Sequence, residues 1–349
     1  MELLQQTIRR IEGLDQEMVA TAQTRVDSLI KPPKSLGKLE DLAVQLAGIT
    51  GKLYPDIDQK AIIVMAADHG VYDEGISSNP QEVTFGQTLS FPKGLTGVCA
   101  IGRVSGAKIV AVDIGVKGEI PSDAGVLIRK IKNGTDNIAK GPAMTRAEAI
   151  RAIEVGIEIA NEEIKNGVNL LGTGEMGIGN TTPSTAILAT LANCDPLEIT
   201  GRGAGVGHGG ILHKVEVIKK AIEINQPNRA DAIDVLAKVG GLEIGGMAGV
   251  MLAAASNKIP VVIDGYISTV AAIIAAAIEP KAKAYFIPSH ASAEPGGQKA
   301  SELLGLQPML QMDMCLGEGS GAALAFPIVD AASHMMKHMA TFAEVGMEI

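Results

Sequence analysis

The chain contains no tryptophan, and aromatic residues make up 3% of its 349 positions. So little aromatic surface leaves few platforms for stacking nucleic-acid bases. Positive charge is also short: 30 Lys and Arg stand against 39 Asp and Glu, a formal net charge of −9. A phosphate backbone demands the opposite sign, so nucleic acid is excluded as a partner and a small molecule is expected. Cysteine is scarce, and Cys99, Cys194 and Cys315 are far apart, odd in number and without Cys-x-x-Cys spacing. That pattern suggests neither a disulfide scaffold nor a zinc site, and it points to a reducing cytoplasm. Long apolar runs are missing too. The longest, residues 270–278, is less than half of the roughly 20 residues of a membrane span and reads as a buried helix. Residues 1–5 lack the basic start and apolar stretch of a signal peptide, so a soluble chain with no membrane partner is expected.

What the chain has in quantity is glycine, 41 residues in all, and the glycines gather around isolated acids. The most informative run is Gly172-Thr-Gly-Glu-Met-Gly-Ile-Gly-Asn-Thr-Thr-Pro-Ser184. It reads as a strand turning into a helix, with Thr181 and Thr182 offering a hydroxyl cap and Pro183 placed where a helix start tolerates it. Glycine-rich backbone followed by a helix N-terminus is a plausible anion cradle. The same run contains Gly172-x-Gly174-x-x-Gly177, a dinucleotide fingerprint that is weak by itself, with Asp195 about 20 residues further on as a candidate ribose-binding acid. Glu175 and the crowd of Gly, Asn180 and Thr suit a single phosphoribosyl group better. A tight turn that merely needs glycine remains the bland alternative.

Five apolar runs, 61–67, 108–112, 168–171, 259–263 and 284–287, lack polar alternation, the mark of parallel strands covered on both faces. Helical patterns lie between them. The clearest starts at Thr145 with Glu148 three residues on, a capping box, and stops at Asn166-Gly167. This alternation predicts an open α/β sheet. The runs deliver Asp68-His69, Asp113, Glu175, Asp264 and Ser289-His290, and the carboxyl ends of parallel strands are where ligands bind in such sheets. The segments 2–50 and 320–345 carry helical patterns of their own and read as a separate small helical layer.

Further constellations follow. Residues 201–210, Gly-Arg-Gly-Ala-Gly-Val-Gly-His-Gly-Gly, form another candidate anion loop that includes Gly203, and Lys214 follows on a helix, either reaching a phosphate or merely solvated. Leu316-Gly-Glu-Gly-Ser-Gly321 places Glu318 between glycines after Leu310, Met312, Met314 and Leu316 at strand spacing. An acid among apolar groups has its carboxyl raised toward neutrality and can act as a base, although capping the next helix is the competing reading. Asp330, His334 and His338 share a helix face and could bind metal. A polar surface is the favoured reading, and no metal or cofactor is expected.

Taken together, Lys31-Pro-Pro-Lys-Ser-Leu-Gly-Lys-Leu-Glu40, Ala67-Asp-His-Gly70, Pro80-Gln-Glu-Val-Thr84, Gly174-Glu-Met-Gly-Ile-Gly-Asn-Thr-Thr182, Ser292-Ala-Glu-Pro-Gly296 and Leu316-Gly-Glu-Gly-Ser-Gly-Ala322 resemble one family along nearly the whole chain. It is the nicotinate-nucleotide:dimethylbenzimidazole phosphoribosyltransferases, which prepare the lower-ligand nucleotide of cobamides such as vitamin B12. The resemblance implies a Rossmann-like, mainly parallel sheet with helices on both faces in a large domain (59–319). It also implies a small helical domain from both chain ends (1–58 and 320–349), and a dimer, of two copies or with a paralogue. It implies transfer of the 5-phosphoribosyl group of nicotinate mononucleotide to an aromatic acceptor, with Glu318 as the base. Gly174, Glu175, Gly177, Gly179, Asn180, Thr181, Gly203, Lys214, Asp264 and Ser292 would hold the phosphoribosyl group. Ser78, Asn79, Phe85, Gln87, Met176 and Leu316 would line the acceptor pocket.

The departures from the family pattern bear on the acceptor rather than on catalysis, since Glu318, Glu175 and Lys214 are kept. Asn79 stands where benzimidazole-using members usually have an aromatic residue. Ala291 and Cys315 stand where Arg is common, and Ala204-Gly-Val-Gly-His208 replaces Thr-Gly-x-Asp-Asp. Some relatives attach phenols, often as paired paralogues, so the acceptor is a benzimidazole, a purine, phenol or p-cresol. A non-catalytic or half-active subunit of a heteromer is a second reading, and a Rossmann oxidoreductase a third.

Overall fold

The computed structural model describes residues 2–207 and 209–347, so His208 lies outside the described residues. Strands β1 (Lys60–Ala67), β2 (Lys108–Gly115), β3 (Leu127–Ile128), β4 (Leu170–Met176), β5 (Val261–Ile263) and β6 (Phe286–Pro288) form one sheet in the order β3-β2-β1-β4-β5-β6. Every pairing in it is parallel. A further parallel pair, β7 (His290–Ala291) with β8 (Leu310–Gln311), follows the sheet's last strand. This is the doubly wound order in which the chain reverses direction across the sheet between β1 and β4.

Alternate residues of each strand feed two cores. Ile63, Met65, Val112, Leu171 and Ile263 face helices Glu2–Arg9, Arg146–Lys165, Leu242–Ser256 and Tyr266–Ile278. Ile62, Val64, Ala111, Leu170 and Val262 face the opposite layer, made by helices Gln16–Ser28, Lys38–Thr50, Gly97–Ser105 and Ser320–His338. Burial on both faces is why the strands read as unbroken apolar runs. The chain ends meet through an antiparallel bridge between Leu29 and Thr341. The first helix, Glu2–Arg9, lies on the other side of the sheet from its successors, with Leu4 in the first core. No helix among the described residues is long and apolar enough to cross a membrane.

The capping box at Thr145 is present: its hydroxyl accepts from Glu148 N at 3.2 Å, and Glu148 Oε2 accepts from Thr145 N at 2.7 Å. Elsewhere the sequence misleads. The strand expected at 168–171 starts at Leu170 and runs on to Met176, through glycines that suggest a loop. Gly172 and Gly174 pair with Ile62 and Val64, and they stay in the strand because the segment 318–326 lies directly on them. A Cβ on Gly174 would stand 2.2 Å from the Glu318 carbonyl oxygen. The expected strand at 284–287 is displaced to Phe286–Pro288 by a 3₁₀ turn, Pro280–Tyr285, that buries Ala282 and Tyr285. Of the strand-spaced residues 310–316, only Leu310–Gln311 pair with another strand.

Candidate active site

The parallel strands end together, and the residues after them surround a cavity of about 310 Å³ at the edge where the sheet reverses. Its wall includes Gln87, Glu175, Asn180, Thr181, Asp264 and Glu318. One side is built on the turn between β8 and helix Ser320–His338. Gly317, Glu318 and Gly319 have φ of +84°, +63° and +94°. For Glu318 that left-handed conformation costs about 1–3 kcal/mol and must be held by its surroundings. Asp264, just past β5, supplies the hold: its carboxylate accepts from Gly319 N at 3.0 Å, Gly321 N at 2.7 Å and Ala322 N at 3.3 Å. A carboxylate at a helix N-terminus satisfies donors that have no partner in the helix. Burial raises the Asp264 carboxyl while His290, with Nδ1 4.0 Å from Oδ1, draws it back.

The turn so fixed carries Glu318 into the cavity, 4% exposed. Its Oε1 accepts from the Gln87 amide and its Oε2 from Val98 N at 3.0 Å. One lone pair direction on each oxygen is thereby committed, and the others are left for a ligand. Glu175 is the penultimate residue of β4, and its Oε1 lies against the Cα of Gly317. Asn180 Nδ2 donates to the Glu175 carboxyl. Burial pushes Glu175 up to about 8, and the neighbouring charges of Asp264, Glu243 and Glu318 push the same way. At neutral pH Glu175 is therefore a buried neutral acid with a proton to donate.

The opposite side is the start of helix Thr181–Ala192. Asn180 occupies the cap position with helical dihedrals and makes no side-chain cap. The hydroxyl cap expected from Thr181 and Thr182 is thus not formed. Thr181 Oγ1 instead accepts from Lys214 Nζ at 2.6 Å. Lys214, on helix Gly210–Asn225, is 2% exposed and also reaches the Gly201 carbonyl at 3.3 Å. Burial lowers its ammonium to about 8, with the charge of Glu294 acting against that. A helix N-terminus, a buried lysine and the loop 201–205 therefore converge on one corner, the chemistry of an anion site.

Residues 11–347 match a family model described as phosphoribosyltransferase. The nicotinate-nucleotide–dimethylbenzimidazole phosphoribosyltransferase of Alkaliphilus metalliredigens is 70% identical over 349 residues, 100% of each chain. This chain belongs to that family. The enzyme of the same name from Clostridioides difficile is 53% identical over 347 residues, 99% of each chain. Among solved structures, the nicotinate-nucleotide–dimethylbenzimidazole phosphoribosyltransferase of Thermus thermophilus aligns with a TM-score of 0.91 at 40% identity, covering 96% of this chain and 100% of that one.

In this phosphoribosyltransferase the sequence-predicted residues separate by position. Glu175, Gly177, Gly179, Asn180, Thr181, Gly203, Asp264, Ser292 and Glu318 line the cavity, as do Asn79, Gln87, Met176 and Leu316. Gly174 lies behind the wall within β4, and Lys214 stands behind Thr181. Ser78 packs on Gly205, and Phe85 turns toward Gly118, both outside the wall. Asn79 Nδ2 donates to Ala204 O at 2.7 Å, tying the loop at 77–79 to the loop at 201–205. The segment Pro80–Thr84 has a positioning task as well: Thr84 Oγ1 accepts from Ile178 N at 3.0 Å and, with Lys117 N, serves Asp68.

Sequence reasoning missed Val83, Arg202, Tyr266 and Glu294, which also line the cavity, and singled out Cys315, another wall residue, only as a departure from the family pattern. Arg202 sits between two of the glycines of the 201–210 loop and Glu294 inside the Ser292–Gly296 segment, so proximity to the motifs was their one signal. The dinucleotide reading is overturned by the fold. Gly172 and Gly174 are strand residues, and Asp195 caps a short helix at Leu197 N (2.9 Å) and pairs with Lys219 away from the cavity. Asp330 pairs with Lys60 at 3.0 Å, while the rings of His334 and His338 lie tilted by 47° with their centroids 5.2 Å apart. Among the described residues no group of three or more His, Cys, Asp and Glu is gathered for a metal.

Proposed function

We propose that the cavity binds nicotinate mononucleotide beside 5,6-dimethylbenzimidazole and transfers the 5-phosphoribosyl group between them, yielding an α-ribotide 5′-phosphate for cobamide synthesis. The donor carries its pyridinium on C1′. As that bond breaks, the ring takes the electron pair and departs as neutral pyridine nitrogen, so the leaving group needs no acid. The acceptor nitrogen forms the new bond to C1′ from the opposite face, and its N–H proton passes to the Glu318 carboxylate. The 5′-phosphate lies in the corner of Thr181, Gly203 and Lys214. Met176, Leu316 and Val83 offer the acceptor apolar walls.

The observation that carries this reading is the placement of one carboxylate, Glu318, held by Gln87 and Val98 N across the same cavity from the Lys214–Thr181 anion corner. Glu318→Gln keeps the shape and removes the base. It is expected to lower kcat by roughly 10²–10⁴, the usual worth of a general base. Near-normal turnover by the folded variant would reject the role.

The acceptor is decided by incubating the donor separately with dimethylbenzimidazole, adenine, phenol and p-cresol and weighing the ribotides. A single methyl in a pocket is worth only about 1–3 kcal/mol, so the expected outcome is a preference for dimethylbenzimidazole with weaker use of its analogues. We also read the chain as an active homodimer: Leu316 on the cavity wall, packed on Gly97, and Leu95 two residues before that glycine are 60% and 73% exposed. Release of nicotinate by the purified chain alone, with a dimer's mass in solution, supports this. A chain that binds donor without turnover is a partner subunit instead. Its three cysteines are unpaired, in keeping with a cytoplasmic setting.

A further inference from the structure

Glu294 stands at the cap position of helix Pro295–Leu304, yet its carboxylate makes no bond to that helix. It crosses instead to the 201–205 loop, where Oε1 accepts from Gly203 N at 3.0 Å. The second oxygen, Oε2, is buried without a hydrogen-bond partner and lies so close to Gly201 that a Cβ there would stand 2.0 Å from it. Gly201 in turn offers its carbonyl to Lys214. Glu294 N donates to Ser292 Oγ at 3.3 Å, so this one residue joins the Ser292 segment, the anion loop and the surroundings of Lys214.

A negative side chain beside an anion corner is costly unless it serves the groups that bind the anion. Here it does so in two ways. It holds the turn that presents the 201–203 backbone, and it is the carboxylate whose charge favours the protonated form of a buried lysine. Among the described residues, the other titratable groups around this corner are Tyr266, whose hydroxyl burial raises beyond its ordinary range, Cys194, whose charge acts on that hydroxyl, Arg202 on the loop itself, and His213, whose ring meets the Glu74 carbonyl. None of these supplies negative charge to Lys214 at neutral pH.

We propose that Glu294 is a positioning residue for the donor phosphate: it fixes the Gly201–Gly203 turn, whose Gly201 carbonyl also holds Lys214, so that the site captures 5′-phosphorylated ribosides. This rests on the phosphate corner assigned above, and the test separates the two. Calorimetric binding of nicotinate mononucleotide, without acceptor, is compared for the parent enzyme, Glu294→Ala, Glu294→Gln and Lys214→Ala between pH 6 and 9.

Glu294→Ala is expected to weaken donor binding about tenfold or more, the scale of a lost charge-assisted hydrogen bond. At saturating donor its kcat stays within about threefold of the parent, because the base and the acceptor pocket are untouched. Glu294→Gln retains an oxygen for Gly203 N and rescues binding at pH 6. Its donor affinity then declines at a lower pH than the parent's, because Lys214 has lost its supporting charge. Identical pH profiles for parent and Gln variant, or donor binding by Glu294→Ala within twofold of the parent, overturn the proposal while the corner itself stands. Unchanged binding by Lys214→Ala overturns the corner. If the Ala variant does not fold, the Gln profile decides alone.

Discussion

Glu175 holds its proton in the folded protein at pH values where an unfolded chain has released it, since burial raises its carboxyl from 4.5 to about 8. Below pH 4.5 both states are protonated and the residue is neutral toward stability. From there to pH 8 the folded state binds more protons than the unfolded one, so stability falls as pH rises. Glu175→Gln removes this penalty and can still accept from Asn180. The variant is expected to match the parent near pH 4.5 and to exceed it by about 3–5 kcal/mol at pH 8, read from urea midpoints at both pH values. A difference that does not change with pH would show that Glu175 is not held neutral by burial. Glu175 and Glu318 were visible in the sequence because glycines flank them. Their division of labour was not, because it depends on which oxygens meet donors: Glu318 meets Gln87 from a helix more than 200 residues away in sequence, and Glu175 meets little but Asn180.

Asp264 governs an element rather than a bond. Its two oxygens take three backbone N–H groups at the head of helix Ser320–His338, and so set the angle at which Glu318 leaves the turn. In Asp264→Ala those donors are buried without partners, each costing about 1–3 kcal/mol. The expected loss is about 3 kcal/mol or more of stability in urea unfolding, together with a fall in kcat of at least tenfold, since a base displaced by an ångström loses much of its effect. Asparagine, with one accepting oxygen in place of two, is expected to fall between. Normal kcat in the Ala variant would mean that the turn is held by its own glycines. Sequence periodicity located the strand that ends just before Asp264 and the helix that follows Glu318. It could not pair them, because a parallel sheet brings together segments far apart in the chain and leaves no local mark of the order. The same blindness placed the 172–176 glycines in a loop: only the helix lying across β4 explains why a strand there needs residues without side chains.

At the scale of the molecule the two chain ends are the informative case. Helical patterns at 2–50 and 320–345 suggested a separate layer, and the helices are where the patterns put them. What the patterns hid is the surface they pack on. Leu42, Leu46, Ala325, Phe326 and Val329 share a core with Ile62, Val64, Leu170 and Val262 of the sheet, while Leu4 belongs to the core on the other face. An end layer that buries its apolar face against the sheet has no hydrophobic core of its own to fall back on. Phe326 is the test residue: fully buried, on helix Ser320–His338, with its ring over Gly172 of β4. Removing it in Phe326→Ala empties space between layer and sheet and is expected to cost about 3–5 kcal/mol. If the molecule unfolds as one unit, the variant shows a single calorimetric transition shifted down as a whole, with the far-ultraviolet signal and the loss of donor binding moving together. If the ends form an independent domain, the same substitution splits the transition, and the sheet and its bound nucleotide survive the melting of the end helices. The continuity of the core from those helices into β1, β4 and β5 favours the single transition, because the free energy that holds the ends in place is the same burial that covers one face of the sheet.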